Sequence, residues 1–133
     1  MHPANFARQE VRILIVDDAP AVRESLRWLL EDEPGLTVIG EAPTGSQALQ
    51  MAVDLKPDLV ILDVELPDMD GFVVTSQLKA QPNPSLVVLL SMHNNAQYQK
   101  RGRDAGCDAY VGKETGWVGL LSVLRTIMKD KEY

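Results

Sequence analysis

The chain has 133 residues, enough for one domain and too few for a two-domain enzyme. With 45% apolar and 24% charged residues, nine glycines and eight prolines, its composition sits near the globular average and excludes collagen-like and disordered classes. Thirteen basic against nineteen acidic residues leave a net charge of −6, whose field repels phosphodiester backbones, so this domain is not expected to touch nucleic acid by itself.

The longest aliphatic runs, at 13–16, 59–62 and 86–90, fall far short of the roughly 20 residues that cross a bilayer, so no membrane contact is expected. Residues 1–10 are polar and lack the apolar stretch of a signal peptide, which predicts a cytoplasmic address. They are read as an extension ahead of a domain at 11–131. Cys107 is the single cysteine, which excludes an internal disulfide and a thiolate zinc cluster.

Five short Val/Ile/Leu runs alternate with longer stretches of helical spacing, the pattern of a parallel sheet covered on both faces. The first run, 12–16, meets Asp17-Asp18, and Pro20 suits the first turn of a helix that buries Val22, Leu26, Leu29 and Leu30. Pro34-Gly35 stops it. The run at 36–41 is interrupted by Gly40, as in an edge strand, and Thr44 or Ser46 can cap the next helix. The run at 58–63 is apolar on both alternate faces and predicts a central strand. A loop at 65–71 leads into a helix through Phe72, Val73 and Leu78. Pro82 and Pro84 precede a fourth strand at 86–91, Asn94 or Asn95 caps a helix ending near Gly106, and a fifth strand at 109–111 leads to a last amphipathic helix. The fold class is α/β, a (βα)5 doubly wound five-stranded parallel sheet of flavodoxin-like order 2-1-3-4-5.

Polar residues stand where the strong runs stop: Asp17 and Asp18, Asp63, Ser91 and Lys113. These are carboxyl ends of strands, and in such sheets ligands bind outside those ends where the strand order reverses, here between the first and third strands. Carboxylates about 5 Å apart repel by roughly 3 kcal/mol per pair at an effective dielectric near 20. A cation resolves the conflict, and a donor set of hard oxygens favours Mg²⁺, or Mn²⁺, with phosphate oxygens as further ligands. Lys113 adds positive charge and Ser91 a hydroxyl donor, suited to a phosphoryl group in transit. No side chain in the set suits a general base for water, which points to a carboxylate nucleophile. Asp63, between the acidic pair and Lys113, is the candidate.

Asp17-Asp18, the segment Leu62-Asp63-Val64-Glu65-Leu66-Pro67-Asp68-Met69-Asp70-Gly71, Leu90-Ser91-Met92-His93 and Tyr110-Val111-Gly112-Lys113 together resemble the receiver domain of two-component response regulators. The resemblance runs from about residue 11 to 130 and is nearest to regulators with a helix-turn-helix output. It implies phosphotransfer from a histidine kinase or phosphotransfer protein to Asp63. It further implies Mg²⁺ held by Asp18, Asp63 and the Glu65 backbone carbonyl, with Asp17 assisting through water, and Ser91 and Lys113 on the phosphoryl group. Ser91 and Tyr110 become a switch pair, read out on the fourth helix, fifth strand and last helix by an output domain or protein, or by a second copy pairing on phosphorylation. Glu65 and His93, each two residues beyond a site residue, are expected to set the lifetime of the phosphorylated state. Many members have proline after the lysine, often cis; Glu114 stands here, and a cis bond without proline costs about 3–4 kcal/mol, so the shape of that loop is open.

Taken singly these residues have plainer readings. Asp17-Asp18 can simply pair with a helix dipole, Lys113 can be a solvated charge, Tyr110 a packing residue, Cys107 a small core residue, and Trp28 and Trp117 packing residues. Lys100, Arg101 and Arg103 read as a solvated face or part of a partner surface, and His2 and His93 do not make a metal site. An aspartyl-nucleophile phosphatase lacks its usual pattern after Glu65. An electron carrier would need an uncharged phosphate loop after the first strand, and a partner-binding relative without phosphorylation would lack part of the acidic and lysine set. The chain stops just after the last helix, so it reads as a phosphoacceptor, stand-alone or excised from a DNA-binding regulator. It is not an enzyme in the usual sense, though it catalyses its own phosphorylation and dephosphorylation.

Overall fold

The computed structural model describes residues 10–129. His2, most of the expected extension and the expected domain end at 130–131 lie outside the described residues. The elements in chain order are β1 (Val11–Val16), α1 (Pro20–Glu31), β2 (Leu36–Ala42), α2 (Gly45–Leu55), β3 (Leu59–Asp63), α3 (Gly71–Lys79), β4 (Leu86–Ser91), α4 (Ala96–Ala105), β5 (Ala109–Gly112), a 3₁₀ turn (Lys113–Thr115) and α5 (Gly116–Lys129). All four strand pairs are parallel and the order is β2-β1-β3-β4-β5, the doubly wound flavodoxin-like sheet that the alternation predicts.

Strand alternation divides the core into two layers. Ile13 and Ile15 of β1 face Leu26 and Leu30 of α1 and Leu120 and Leu124 of α5, while Leu14 and Val16 face Ala48 of α2 and Val74 and Leu78 of α3. Every residue of β3 is buried, which is why its sequence shows no polar face. Each Leu or Ile removed from water in this way contributes about 1.5–3 kcal/mol, so two apolar layers clamp the sheet and fix its strand ends in space.

β2 is one of the two edge strands, with β5 at the other side, and runs to Ala42, one residue beyond the expected end. Its register against β1 slips between Ile13↔Val38 and Leu14↔Gly40. A Cβ at Gly40 would lie 2.7 Å from Met51 Cε and 3.2 Å from Leu55 Cδ1, flexible side-chain ends of α2 that lie over the bare backbone here. Thr44, not Ser46, caps α2 by accepting from the Gln47 N–H at 3.1 Å, and Asn95, not Asn94, caps α4 by accepting from the Tyr98 N–H at 2.9 Å. The Lys113–Glu114 bond is trans and enters the 3₁₀ turn, which answers the open question about that loop.

Two packing expectations change. Trp28 is 76% exposed on the outer side of α1, because Val22, Leu26, Leu29 and Leu30 already fill the stripe facing the sheet. Cys107 is half-buried at the margin of the second core layer instead of inside it, whereas Trp117 packs half-buried against the first. Among the described residues no helix is long and apolar enough to cross a membrane.

Candidate functional site

Strand register sets the site. Val16 pairs with Leu62, Asp63 with Leu90 and Ser91 with Gly112, so Asp17, Asp63, Ser91 and Lys113 leave four neighbouring strands at the same level of the sheet. β1 connects to one side of itself through β2 and the chain then crosses to β3 on the other, so this mouth is the point where the winding reverses. All the sequence-predicted carboxylates and the lysine arrive here.

Asp17 is 1% and Asp63 6% exposed, whereas Asp18 is open to water. Carboxylate oxygens of the three lie within 4.8 Å of one another, the one such acidic cluster among the described residues. Lys113 Nζ stands 3.1 Å from Asp63 Oδ2 and 3.5 Å from Asp17 Oδ2. The remaining oxygens are oriented by backbone: Asp17 Oδ1 accepts from the Ala19 N–H at 2.9 Å and Asp63 Oδ1 from the Glu65 N–H at 3.1 Å. Asp17 and Asp63 each therefore keep one oxygen anchored while the other faces Lys113.

Burial pushes the Asp63 carboxyl up to about 6; the Glu65 N–H and the Lys113 ammonium pull against it, and Asp17 adds to the rise. For Lys113 burial works downward, and the Asp63 and Asp17 carboxylates outweigh it, so the ammonium is held above its ordinary value. Three carboxylates and one ammonium leave two uncompensated negative charges at close quarters. A divalent cation matches that charge, and all-oxygen donors suit Mg²⁺, so the residues present fit the ion that the sequence implied.

Ser91 is 1% exposed, and its Oγ accepts from the His93 N–H at 2.9 Å. Tyr110 is half-buried, and its hydroxyl donates to the His93 carbonyl, so ring and serine meet through one residue. His93 Nε2 lies 3.5 Å from Glu65 Oε2, which puts both expected lifetime residues together across the mouth.

The loop between β3 and α3 is built by Asp68, Asp70 and Gly71, which stand in the family-like segment but carry no expected role. Gly71 is required by proximity: a Cβ there would meet the Asp63 carbonyl oxygen and Val64 Cα at 2.6 Å. Asp68 accepts from the Gly45 and Ser46 N–H groups at 2.8 and 2.9 Å and so fastens the loop to the start of α2. Asp70 caps α3 by accepting from the Phe72 N–H at 2.7 Å, and its backbone bridges to Glu65. Asp before an apolar helical stretch was the available signal for Asp70; nothing near Asp68 in the chain announces its partner. Lys100 pairs with Asp104 on a solvated face, but Arg101 reaches Asp70 instead.

Comparison with known proteins agrees with this arrangement. The family described as "Response regulator receiver domain" matches residues 13–125. The chain is 31% identical over 123 residues to "Response regulator GacA" of Pseudomonas viridiflava, covering 92% of this chain and 58% of that protein. It is 34% identical over 104 residues to "Transcriptional regulatory protein YdfI" of Bacillus subtilis (strain 168), covering 78% and 48%. The chain thus spans about half the length of these relatives. Among solved structures, a two-component response regulator of the LuxR family from Aurantimonas sp. SI85-9A1 superposes with a TM-score of 0.85 at 29% identity, covering 90% of this chain and 86% of that one. With its family match, its strand order and its acidic mouth in agreement, the chain belongs to the response regulator receiver domains.

Proposed function

We propose that the chain is a phosphoacceptor switch in which Asp63 takes a phosphoryl group from the phosphohistidine of a histidine kinase or phosphotransfer protein. The observation that carries this reading is the Asp63 carboxylate, buried yet oriented, with one oxygen on the Glu65 N–H and the other facing Lys113. That oxygen attacks phosphorus as the bond to the donor imidazole breaks; the bonding pair stays on the imidazole nitrogen, which takes a proton from water. Lys113 neutralises charge gathering on the phosphoryl oxygens, and the Ser91 hydroxyl donates to one of them. Asp18, Asp63 and the Glu65 carbonyl are the proposed holders of Mg²⁺, with Asp17 assisting through water. When bound, the ion supplies charge neutralisation between carboxylates and phosphoryl oxygens.

In this reading the Ser91 hydroxyl leaves the His93 N–H for the new phosphoryl group, and the loop at 92–95 and Tyr110 follow. The change is read on α4, β5 and α5 by an output domain or protein, or by a second copy of the chain. Glu65 and His93 govern water's approach to the acyl phosphate. The domain runs from 11 to 131 and works in the cytoplasm. The partial coverage of relatives named as transcriptional regulators favours a second version of the same reading, in which this is the receiver of a longer DNA-binding regulator.

Intact mass after incubation with acetyl phosphate tests the proposal. One phosphoryl group is expected, requiring Mg²⁺ and lost in Asp63→Asn. An adduct that forms without metal or survives that substitution overturns it. Repeated turnover of a phosphate monoester would instead mark a phosphatase.

A further inference from the structure

α4 is the most weakly seated helix of the sheet's second face. Its one buried residue is Gly102, so other contacts must hold it in place. Tyr98 and Ala105 pack half-buried on the second core layer, and further contacts reach the start of α3 and Asp70, its N-cap. The Arg101 guanidinium lies 4.3 Å from the Phe72 ring centroid and 5.6 Å from that of Tyr98, and Nη2 is 3.2 Å from Asp70 Oδ2. Tyr98 in turn stacks on His93 with centroids 4.7 Å apart.

Asp70 is the hinge of this arrangement. Its Oδ1 caps α3, its Oδ2 faces Arg101, and its backbone bridges to Glu65, whose N–H holds the Asp63 carboxylate. At the other end of the loop the Glu65 side chain meets His93, just ahead of α4. The helix therefore grips the loop twice, at Glu65 through His93 and at Asp70 through Arg101. A shift of α4 pulls on both, and a change at Asp63 is felt by both.

We propose that Arg101 is a positioning residue for phosphoryl chemistry: through Asp70 and the face of Phe72 it locks α4 to the loop that orients Asp63, so that helix position and phosphorylation are energetically coupled. This rests on the phosphoacceptor reading of Asp63. Planarity matters as much as charge, because a guanidinium can lie on a ring while forking toward a carboxylate, and an ammonium cannot do both.

The test uses the full chain with Arg101→Ala, Arg101→Lys, Asp70→Asn, the Arg101→Ala/Asp70→Asn double variant, and Lys100→Ala as a control on the same helix. Two readouts are taken: amide hydrogen exchange at Glu65 and Gly71 without Mg²⁺, and the half-life of the acyl phosphate formed from acetyl phosphate with Mg²⁺. Arg101→Ala and Asp70→Asn are each expected to speed exchange at both amides by about three- to tenfold and to change the half-life by a similar factor. The double variant should add little beyond either single change, Lys should restore only part, and Lys100→Ala should match the native chain. Native exchange at Glu65 and Gly71 in Arg101→Ala, or full additivity in the double variant, overturns the inference even if melting temperature falls. If the native chain takes no phosphoryl group on Asp63, the functional reading fails, while the exchange cycle still decides whether Arg101 holds the loop.

Discussion

Asp63 combines burial with a charge it must keep for chemistry, and that conflict is measurable. The folded carboxyl holds its proton up to about pH 6, whereas 3.8 is its ordinary value. The stability this gives is full below about pH 4 and is lost as pH rises through 6. Asp63→Asn, which removes the buried charge, should therefore raise the melting temperature of the metal-free protein at pH 7 and give no gain below pH 4; thermal unfolding across that range checks it. A second prediction concerns the pair across the mouth. His93 and Glu65 stand 3.5 Å apart, and in the proposed reading they line water's approach to the acyl phosphate. His93→Ala should shorten its half-life by about two- to fivefold, a barrier change of under roughly 1 kcal/mol, read by loss of the phosphorylated mass over time. Unchanged half-lives in both His93→Ala and Glu65→Ala would remove these residues from the lifetime account.

At the scale of elements, the loop between β3 and α3 does most to turn strand ends into a site. Asp68 fastens it to α2, and the Ser46 and Gly45 N–H groups hold the Asp68 carboxyl below its ordinary value. A depressed carboxyl lends stability above its unfolded value and loses it as pH falls. Asp68→Ala is thus expected to lower the melting temperature at pH 7 and to converge with the native chain on acidification below pH 3.8. Gly71→Ala drives a methyl group into the Asp63 carbonyl oxygen and the Val64 backbone. It should cost about 1–3 kcal/mol in denaturant unfolding and weaken Mg²⁺ binding at the proposed site, of which the Glu65 carbonyl is a proposed ligand. These elements also show what the sequence made legible. β3 was readable because both its faces are apolar, and β2 as an edge because Gly40 interrupts it. The choice of Thr44 over Ser46 as cap was not, since Ser ranks above Thr as a cap and the turn geometry overrides that preference. Asp68 meets residues 22 and 23 positions away, and Arg101 meets Asp70 across 31. No local pattern encodes such pairs; they exist because the folded sheet sets α2, α3 and α4 side by side.

At the scale of the molecule, the two apolar layers carry the stability and leave the strand ends free for polar chemistry. Asp17, Asp63, Ser91 and Lys113 could be found from sequence because each ends an apolar run, and register then brings them level. Exposed surface was harder to read: Trp28 points to water although its size suggests packing, since helix amphipathicity fixes a stripe and not the fate of every large side chain. The central claim is that the convergent acids make residue 63 the phosphorylated group. Borohydride reduction of protein treated with acetyl phosphate and Mg²⁺, followed by peptide sequencing in a mass spectrometer, tests it most directly, because an aspartyl phosphate is reduced to homoserine where it stood. Homoserine at position 63 alone is the predicted result. Homoserine at another acidic position, or its formation at 63 without Mg²⁺, would contradict the account.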